Sequence, residues 1–549
     1  MTFKSSSVLK STSRRAAITR LMLVVLALSA CLICSPGAPA ALQHPGDLDP
    51  SFGSGGLVLT SAGQLALCRT VLIQPDGKII AAGMGGNQSV IGFAAFRYNT
   101  NGTLDTNFGS GGIALHDVGG AGESGGTGAL QADGKIVVAG ARSTGLTEPL
   151  QQFALTRFNA DGSLDAGFGS GGVALATVGN DAGPNSVAIQ ADGKIVAGGL
   201  TVTGNSSSFS AIGMARFDSH GVLDPGFGNG GTVVMDITPG AGIEAIAIQP
   251  DGKIVAGGFG DSPVERFNAD GTLDSSFGLG GFAPSPVPFN DFLAFGVALQ
   301  ADGKIVAAGS VFNNTKQVFG VVRYNHDGSL DSGFGSGGLT TADLGDNNFA
   351  SGVAIGPGGN IIAVGQATVL MNSGFPPQKF AVLALQPNGL PNPAFGIGGM
   401  VTTDFGHPAA AGSVAIQSDG NIVVGGGAAF SESSAFPFQV ALARYVGLGA
   451  APVFCLRDNN SPLILELTQT GDYFFKNCAT GQTLSGTGTV RLVNSVLMLT
   501  DNRPDRRITA TYYLNQLNGS ALITLIPAPG VFQTTRIVDT VPGASCSCQ

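Results

Sequence analysis

Four aspartates occupy one place in a recurring phrase. Asp117, Asp236, Asp343 and Asp404 each follow the Phe of a Phe-Gly pair by nine residues. If the copies circle an axis, these carboxylates circle one face, where they would hold a cation such as calcium or attract a basic partner. The competing reading is that each Asp caps a turn at a strand end. In the remaining copies the same place holds Ser61, Thr177 and Pro286. Other patterns carry less. Gly122-Glu-Ser-Gly-Gly126 has the spacing of a nucleophile motif, with His116 and Asp117 close by, but no strand–elbow–helix context surrounds it; it reads as a loop between repeats. Gly167-Phe-Gly-Ser-Gly-Gly172 has dinucleotide-loop spacing yet recurs at Gly226 and Gly333 with no helix behind it, so it reads as a turn. Asn268-Ala-Asp-Gly-Thr-Leu-Asp274 is half of a calcium loop, and the bidentate acid due at its twelfth position is Leu279. Five His without metal-ligand spacing and a chain with no Trp add no further catalytic or sugar-stacking candidate.

The elements that must position these residues follow from three phrases that keep step. The Phe of Phe-Gly falls at Phe52, Phe108, Phe168, Phe227, Phe277, Phe334 and Phe395. Gln-x-Asp-Gly-Lys-Ile has its Asp at Asp76, Asp133, Asp192, Asp251 and Asp302, with weaker copies at 356–361 and 417–422. A third phrase closes an apolar run with Arg97, Arg157, Arg216, Arg266, Arg323 or Arg444 followed by Phe or Tyr. A near-constant period of this size marks a propeller or solenoid. In each unit two apolar runs flank x-(Pro/Ala)-Asp-Gly, the chemistry of a three-residue hairpin loop, and Asn159-Ala-Asp-Gly-Ser163 makes a second hairpin. Each unit thus reads as about four short strands. The second hairpin puts Phe158 opposite Leu164 and Arg157 opposite Asp165, a cross-strand ion pair. In the sixth copy Ala384 and Asn392 stand at those two places, so both charges vanish together.

The array opens on the end of a unit, Leu48-Asp-Pro-Ser-Phe-Gly53, and stops at Ala443-Arg-Tyr445, just before the next such phrase is due. The first strand is therefore free to complete the last sheet, which removes exposed edges. The expected fold is all-β, a closed seven-bladed β-propeller of four-stranded antiparallel blades over residues 47–447; an open β-solenoid is the alternative. Leu-Asp-x-x-Phe-Gly-x-x-Gly in step with Gln-x-Asp-Gly-Lys-Ile resembles the delta-60 repeat family of bacterial β-propeller proteins. That resemblance implies a propeller and an exported protein, and it brings no catalytic residues.

Both ends differ from the array. Lys4, Lys10, Arg14, Arg15 and Arg20 precede the apolar run Leu21–Ala30, and Ala38-Pro-Ala40 offers a cleavage site, so residues 1–40 read as a signal peptide. Leu28-Ser-Ala-Cys31 permits the alternative of a lipoprotein anchored through Cys31. Either way no transmembrane span remains in the mature chain. The formal charge of −9 becomes more negative once those five cations leave, which argues against nucleic acid or an anionic membrane as partner. Cys68 reads as a small buried hydrophobe. Beyond 450 the repeat stops, and about seven strand-like runs over 451–549 suggest a small β-sandwich or barrel. Cys455 and Cys478 form an expected disulfide there, while Cys546 and Cys548 lie too close together for an easy bridge.

These features lead to the expectation of a secreted or cell-envelope protein, monomeric, that binds a protein or cell-surface partner without catalysis, with no cofactor unless calcium sits at the four aspartates. The alternative is a propeller enzyme, a metal-assisted hydrolase or lactonase working at the mouth of a central channel.

Overall fold

The computed structural model describes residues 43–448 except 88–89, 121, 146–150, 204–209, 238–239, 261, 288–291, 314, 369–377 and 431–437, and beyond 448 the backbone of eight strands. The signal segment, Cys31, Cys478, Cys546 and Cys548 lie outside the described residues, so the expected disulfide does too. Among the described residues there is no α-helix, only one short 3-10 turn at Pro357–Gly359.

Strands in the array pair antiparallel with their chain neighbours. Leu65–Ile73, Ile79–Asn87, Val90–Tyr98 and Ile113–His116 form one such series. Four-stranded sheets of the same order run from Gly122 to Ala176, Ala182 to Met235, Phe292 to Ala342 and Asn347 to Thr403. The strands Ala409–Ile416, Ile422–Ala429 and Phe438–Tyr445 gain their fourth member from the other end of the array, where Leu57–Thr60 pairs with Phe438–Tyr445. The loop chemistry is as the turn residues dictate. Gln74 N–H donates to Lys78 O at 2.8 Å, and Gly77 sits at φ 82° in the left-handed position.

One sheet departs from the expected four strands. After Gly242–Ile248, Ile254–Phe259 and Val264–Phe267, the fourth strand shrinks to a single bridge between Glu265 and Phe282. The chain there reads Ala283-Pro-Ser-Pro-Val-Pro288, and proline has no N–H to give to a ladder.

The innermost layer consists of the first strand of each sheet. These strands pack on one another in chain order, and Ala409–Ile416 packs on Leu65–Ile73. Short side chains let them approach. Thr70 Oγ1 accepts from Gly128 N–H at 3.1 Å, Ser186 Oγ from Ile246 N–H at 3.0 Å and Ser413 Oγ from Val71 N–H at 3.1 Å. Apolar clusters fill the space between adjacent sheets, as where Val137, Phe153 and Leu155 meet Ile195, Ala197 and Phe217.

The arginines tie these layers together. Arg157 Nε donates to Asp165 Oδ2 at 2.8 Å, and Phe158 bridges Leu164, the pairing the hairpin register demands. The guanidinium carbon lies 4.4 Å from the centre of the Phe168 ring, and Nη1 donates to Ser219 O in the turn of the next repeat. Lys135 of the Gln-x-Asp-Gly-Lys phrase joins at 2.9 Å from Asp165. The same clasp recurs at Arg97–Asp105, Arg216–Asp224, Arg266–Asp274 and Arg323–Asp331. Burial pushes the Asp274 carboxyl upward, but hydrogen bonds from Lys253, Ser276 and Arg266 outweigh it and hold the group well below the usual carboxylate range. The final copy joins the two ends of the array: Arg444 Nε donates to Asp49 Oδ2 at 2.9 Å, and its guanidinium lies over Phe52. In the sixth copy, where Ala384 replaces Arg, Asn392 Nδ2 donates to Asn360 Oδ1 at 3.1 Å, so a neutral hydrogen bond stands in for the charged cluster.

From the eight strands beyond 448 comes a correction to the expected count. They pair in order from Phe454–Arg457, and the last, Thr534–Val541, pairs with Ser520–Ile526 and returns to Phe454–Arg457, closing a barrel.

Two predictions follow from the clasp. Arg157→Ala and Arg444→Ala each strip one partner from a buried pair, which costs on the order of 3–5 kcal/mol. Lys135 still faces Asp165 in the first, whereas among the described residues no lysine faces Asp49 in the second, so urea unfolding should show Arg444→Ala as the more damaging; the reverse order contradicts the clasp. The five clasp aspartates whose carboxyls are lowered, Asp105, Asp165, Asp224, Asp274 and Asp331, also set an acid limb. Their folded carboxyls ionise more readily than in the unfolded chain, so their stabilisation is complete above the ordinary Asp value of about 3.9 and is lost as pH falls below it. Urea midpoints should fall steeply below about pH 4.

Candidate functional site

The four aspartates singled out by spacing serve local roles. Asp117 Oδ1 accepts from Gly119 N–H at 2.7 Å and Asp404 Oδ1 from Gly406 N–H at 2.7 Å, each capping its own turn. Asp343 and Asp404 also pair with lysines, Lys316 at 2.8 Å and Lys379 at 3.0 Å, and Asp236 accepts from Thr203 Oγ1 at 2.9 Å. All four are exposed. Among the described residues no group of three or more His, Cys, Asp or Glu is placed to hold a metal ion.

Gly122–Gly126 corrects another reading. It is not a loop between repeats but the start of the strand Gly122–Leu130, with Glu123 opposite Arg142. Glu123 Oε1 accepts from Val118 N–H at 2.7 Å, and Arg142 Nε donates to Gly119 O. Burial pushes the Glu123 carboxyl up to about 8, and the adjacent Asp117 carboxylate adds to the push. In the sixth repeat Asn348 occupies the same register and donates to Gly345 O at 3.1 Å, so both residues anchor the segment entering the sheet. The Gly167 and Asn268 phrases are turns, as read. Cys68 is buried, and burial drives its thiol up to about 12, which makes it inert as a nucleophile.

A recess of about 420 Å³ lies between hairpin ends that include Gln190, Lys194, Arg216 and Gln249. Its two cations are already bound to Asp224, so it belongs to the scaffold.

The site the sequence reading missed lies on the innermost strands. Each carries a one-residue β-bulge at the same place, and the bulged residues are Arg69, Gly126, Asn185, Glu244, Phe295, Ser351 and Gly412. Here alone do the repeats present a cation, an anion, an amide, an aromatic ring and a hydroxyl at one equivalent position. Neighbouring bulges touch. A Cβ on Gly412 would lie 3.8 Å from Arg69 Cα, one on Gly352 would lie 3.2 Å from Gly412 O, and Asn185 Nδ2 donates to Ile243 O at 3.1 Å. Phe295 meets Phe349 of the next sheet with ring centres 5.6 Å apart. Burial raises the Glu244 carboxyl while the Arg69 charge opposes that rise, although two other first strands separate them in the chain. Arg69 and Glu244 thus lie within electrostatic range of one another. A signal existed, since in six of the seven copies the variable residue stands seven residues before the Asp of the Asp-Gly turn, but only the bulge register shows that these positions correspond.

Comparison with known families adds to this geometry. A family described as a domain of unknown function (DUF5122) beta-propeller matches residues 74–108, 131–168, 190–227, 249–277 and 300–334. Each matched stretch runs from the Gln of the first hairpin to the Phe of Phe-Gly, and so contains the Lys, Arg, Asp and Phe of one clasp. The chain thus carries β-propeller repeats of this kind. The repeats left unmatched are those with Asn360 and Asn421 in place of the lysine. No curated protein matches the chain.

Carbon-detected NMR titration should place the Glu123 midpoint at about 8. Its folded form holds a proton that the unfolded chain has released, so stability declines as pH rises from 4.5 to about 8, and Glu123→Gln abolishes that decline. A midpoint near 4.5 contradicts the environment described.

Proposed function

We propose that the chain is a closed seven-bladed propeller of the delta-60 repeat type, exported and acting as a non-enzymatic binding protein at the cell envelope or outside the cell. Closure is supported by the pairing of Leu57–Thr60 with Phe438–Tyr445, by the Arg444–Asp49 clasp and by the Ser413–Val71 contact. Export is supported by the basic and apolar N-terminal segment, and the barrel from Phe454 onward serves as an attachment module.

The observation that carries the binding reading is the division of side chains between two sets. Clasp residues recur and are consumed by one another, whereas the bulge residues differ from sheet to sheet at one place on strands packed against each other. A surface free to vary on a rigid frame is where recognition belongs.

Two experiments test this. The N-terminus of protein recovered from an envelope or secreted fraction should be Ala41. Chain that stays in the cytoplasm with Met1 intact overturns export. Immobilised mature protein should retain a partner that a variant with Arg69, Asn185, Glu244 and Phe295 all changed to Ser does not; equal retention by both overturns the inner ring as the binding face.

A further inference from the structure

The geometry points to a small aromatic carboxylate as the ligand of the bulge ring, with Arg69 taking the carboxylate and the Phe295–Phe349 pair taking the aromatic ring. This rests on the closed-propeller reading above and gives its binding face a chemical class.

Arg69 is the anomaly that leads there. Every other Lys and Arg between 43 and 448 is engaged: all but Arg142 form ion pairs with Asp, and Arg142 donates to Gly119 O. The six clasp arginines are buried as well. Arg69 is exposed and, among the described residues, has neither a hydrogen bond nor an ion pair. Its charge acts on Glu244, whose carboxyl burial weakens as a counter-ion. The planar fork of arginine matches a carboxylate with two parallel hydrogen bonds.

The rest of the ring sets the ligand's shape. Gly126 and Gly412 hold the equivalent places on the two strands beside that of Arg69, so neither neighbouring bulge carries a side chain. At Gly126 a Cβ would lie 2.5 Å from Gly83 O of the preceding sheet, so only glycine fits there. Phe295 and Phe349 remain partly exposed, whereas the Phe that closes each repeat, from Phe52 to Phe395, is fully buried. Two tilted rings left open in a ring of Gly, Ser and Asn offer an edge-to-face seat for a third. One unpaired cation among the described residues matches one anionic group, and a net negative chain with one such arginine there lacks the charge that a nucleic acid backbone needs.

The test is calorimetric titration of the full mature chain with benzoate, using acetate and benzyl alcohol as arms that carry one half of the chemistry each. Benzoate should bind one to one and at least about tenfold more tightly than either control. Arg69→Ala should weaken benzoate by about tenfold or more, and Phe295→Ala should erase its advantage over acetate. No benzoate binding by the wild type, benzoate binding no better than acetate, or unchanged binding in Arg69→Ala overturns the assignment. Thermal unfolding and small-angle scattering on the same samples separate the two claims. A compact ring without benzoate binding defeats the ligand class alone, whereas an open, extended array defeats the propeller reading itself.

Discussion

The structure depends on a guanidinium held in a dry place. Each clasp arginine meets an Asp across its own hairpin, an aromatic face above it and a backbone carbonyl from the next repeat, so one side chain joins three levels of organisation. Lysine could not replace it. Its ammonium is a point charge, while the flat guanidinium can stack on Phe168 and still direct separate N–H groups at Asp165 and Ser219. Taking such a charge out of water is costly unless every donor finds an acceptor, which explains why the partners recur as a set. Where the arginine is lost, at Ala384, the acid is lost too, and Asn392 turns to Asn360.

The clasp also determines what remains available. A chain with 11% charged residues spends nearly all of them in the array on holding hairpins to sheets and sheets to neighbours. Glycine contributes where backbone must meet backbone. A Cβ on Gly162, at φ 85°, would strike the Phe108 ring of the preceding repeat, the same contact that lets the turn cover the clasp. Among the described residues the one Lys or Arg left unspent lies at an inner bulge, the bare Arg69.

Much of this architecture was legible in the sequence because it is local. The Arg157–Asp165 pair follows from counting outward across a three-residue loop, and the strand order follows from phrases that keep step. What escaped depends on contacts between distant segments. Lys135 reaches Asp165 from another hairpin, the guanidinium reaches a carbonyl about sixty residues on, and a bulge shows itself only as a break in register between paired strands. For the four aspartates, equal distance from Phe-Gly accompanies turns that Asp117 and Asp404 cap, one of the two readings the spacing allowed. Spacing misled at Gly122–Gly126, where glycines that resemble a loop lie in a strand beside the small residues of its neighbours. The prolines after Phe282 were plain to read, and their consequence for the fourth strand follows from the missing N–H groups.

The central claim is that the first strand of the array is held by the last sheet. Native-state hydrogen exchange measures this directly at the amides of Leu57–Thr60. If those amides are part of the sheet formed with Phe438–Tyr445, they should be as protected as the amides of Ile113–His116, which hold the same place in the next sheet but need no partner from the far end of the chain. Exchange at the rate of an unstructured peptide, with Ile113–His116 still protected, would contradict the account.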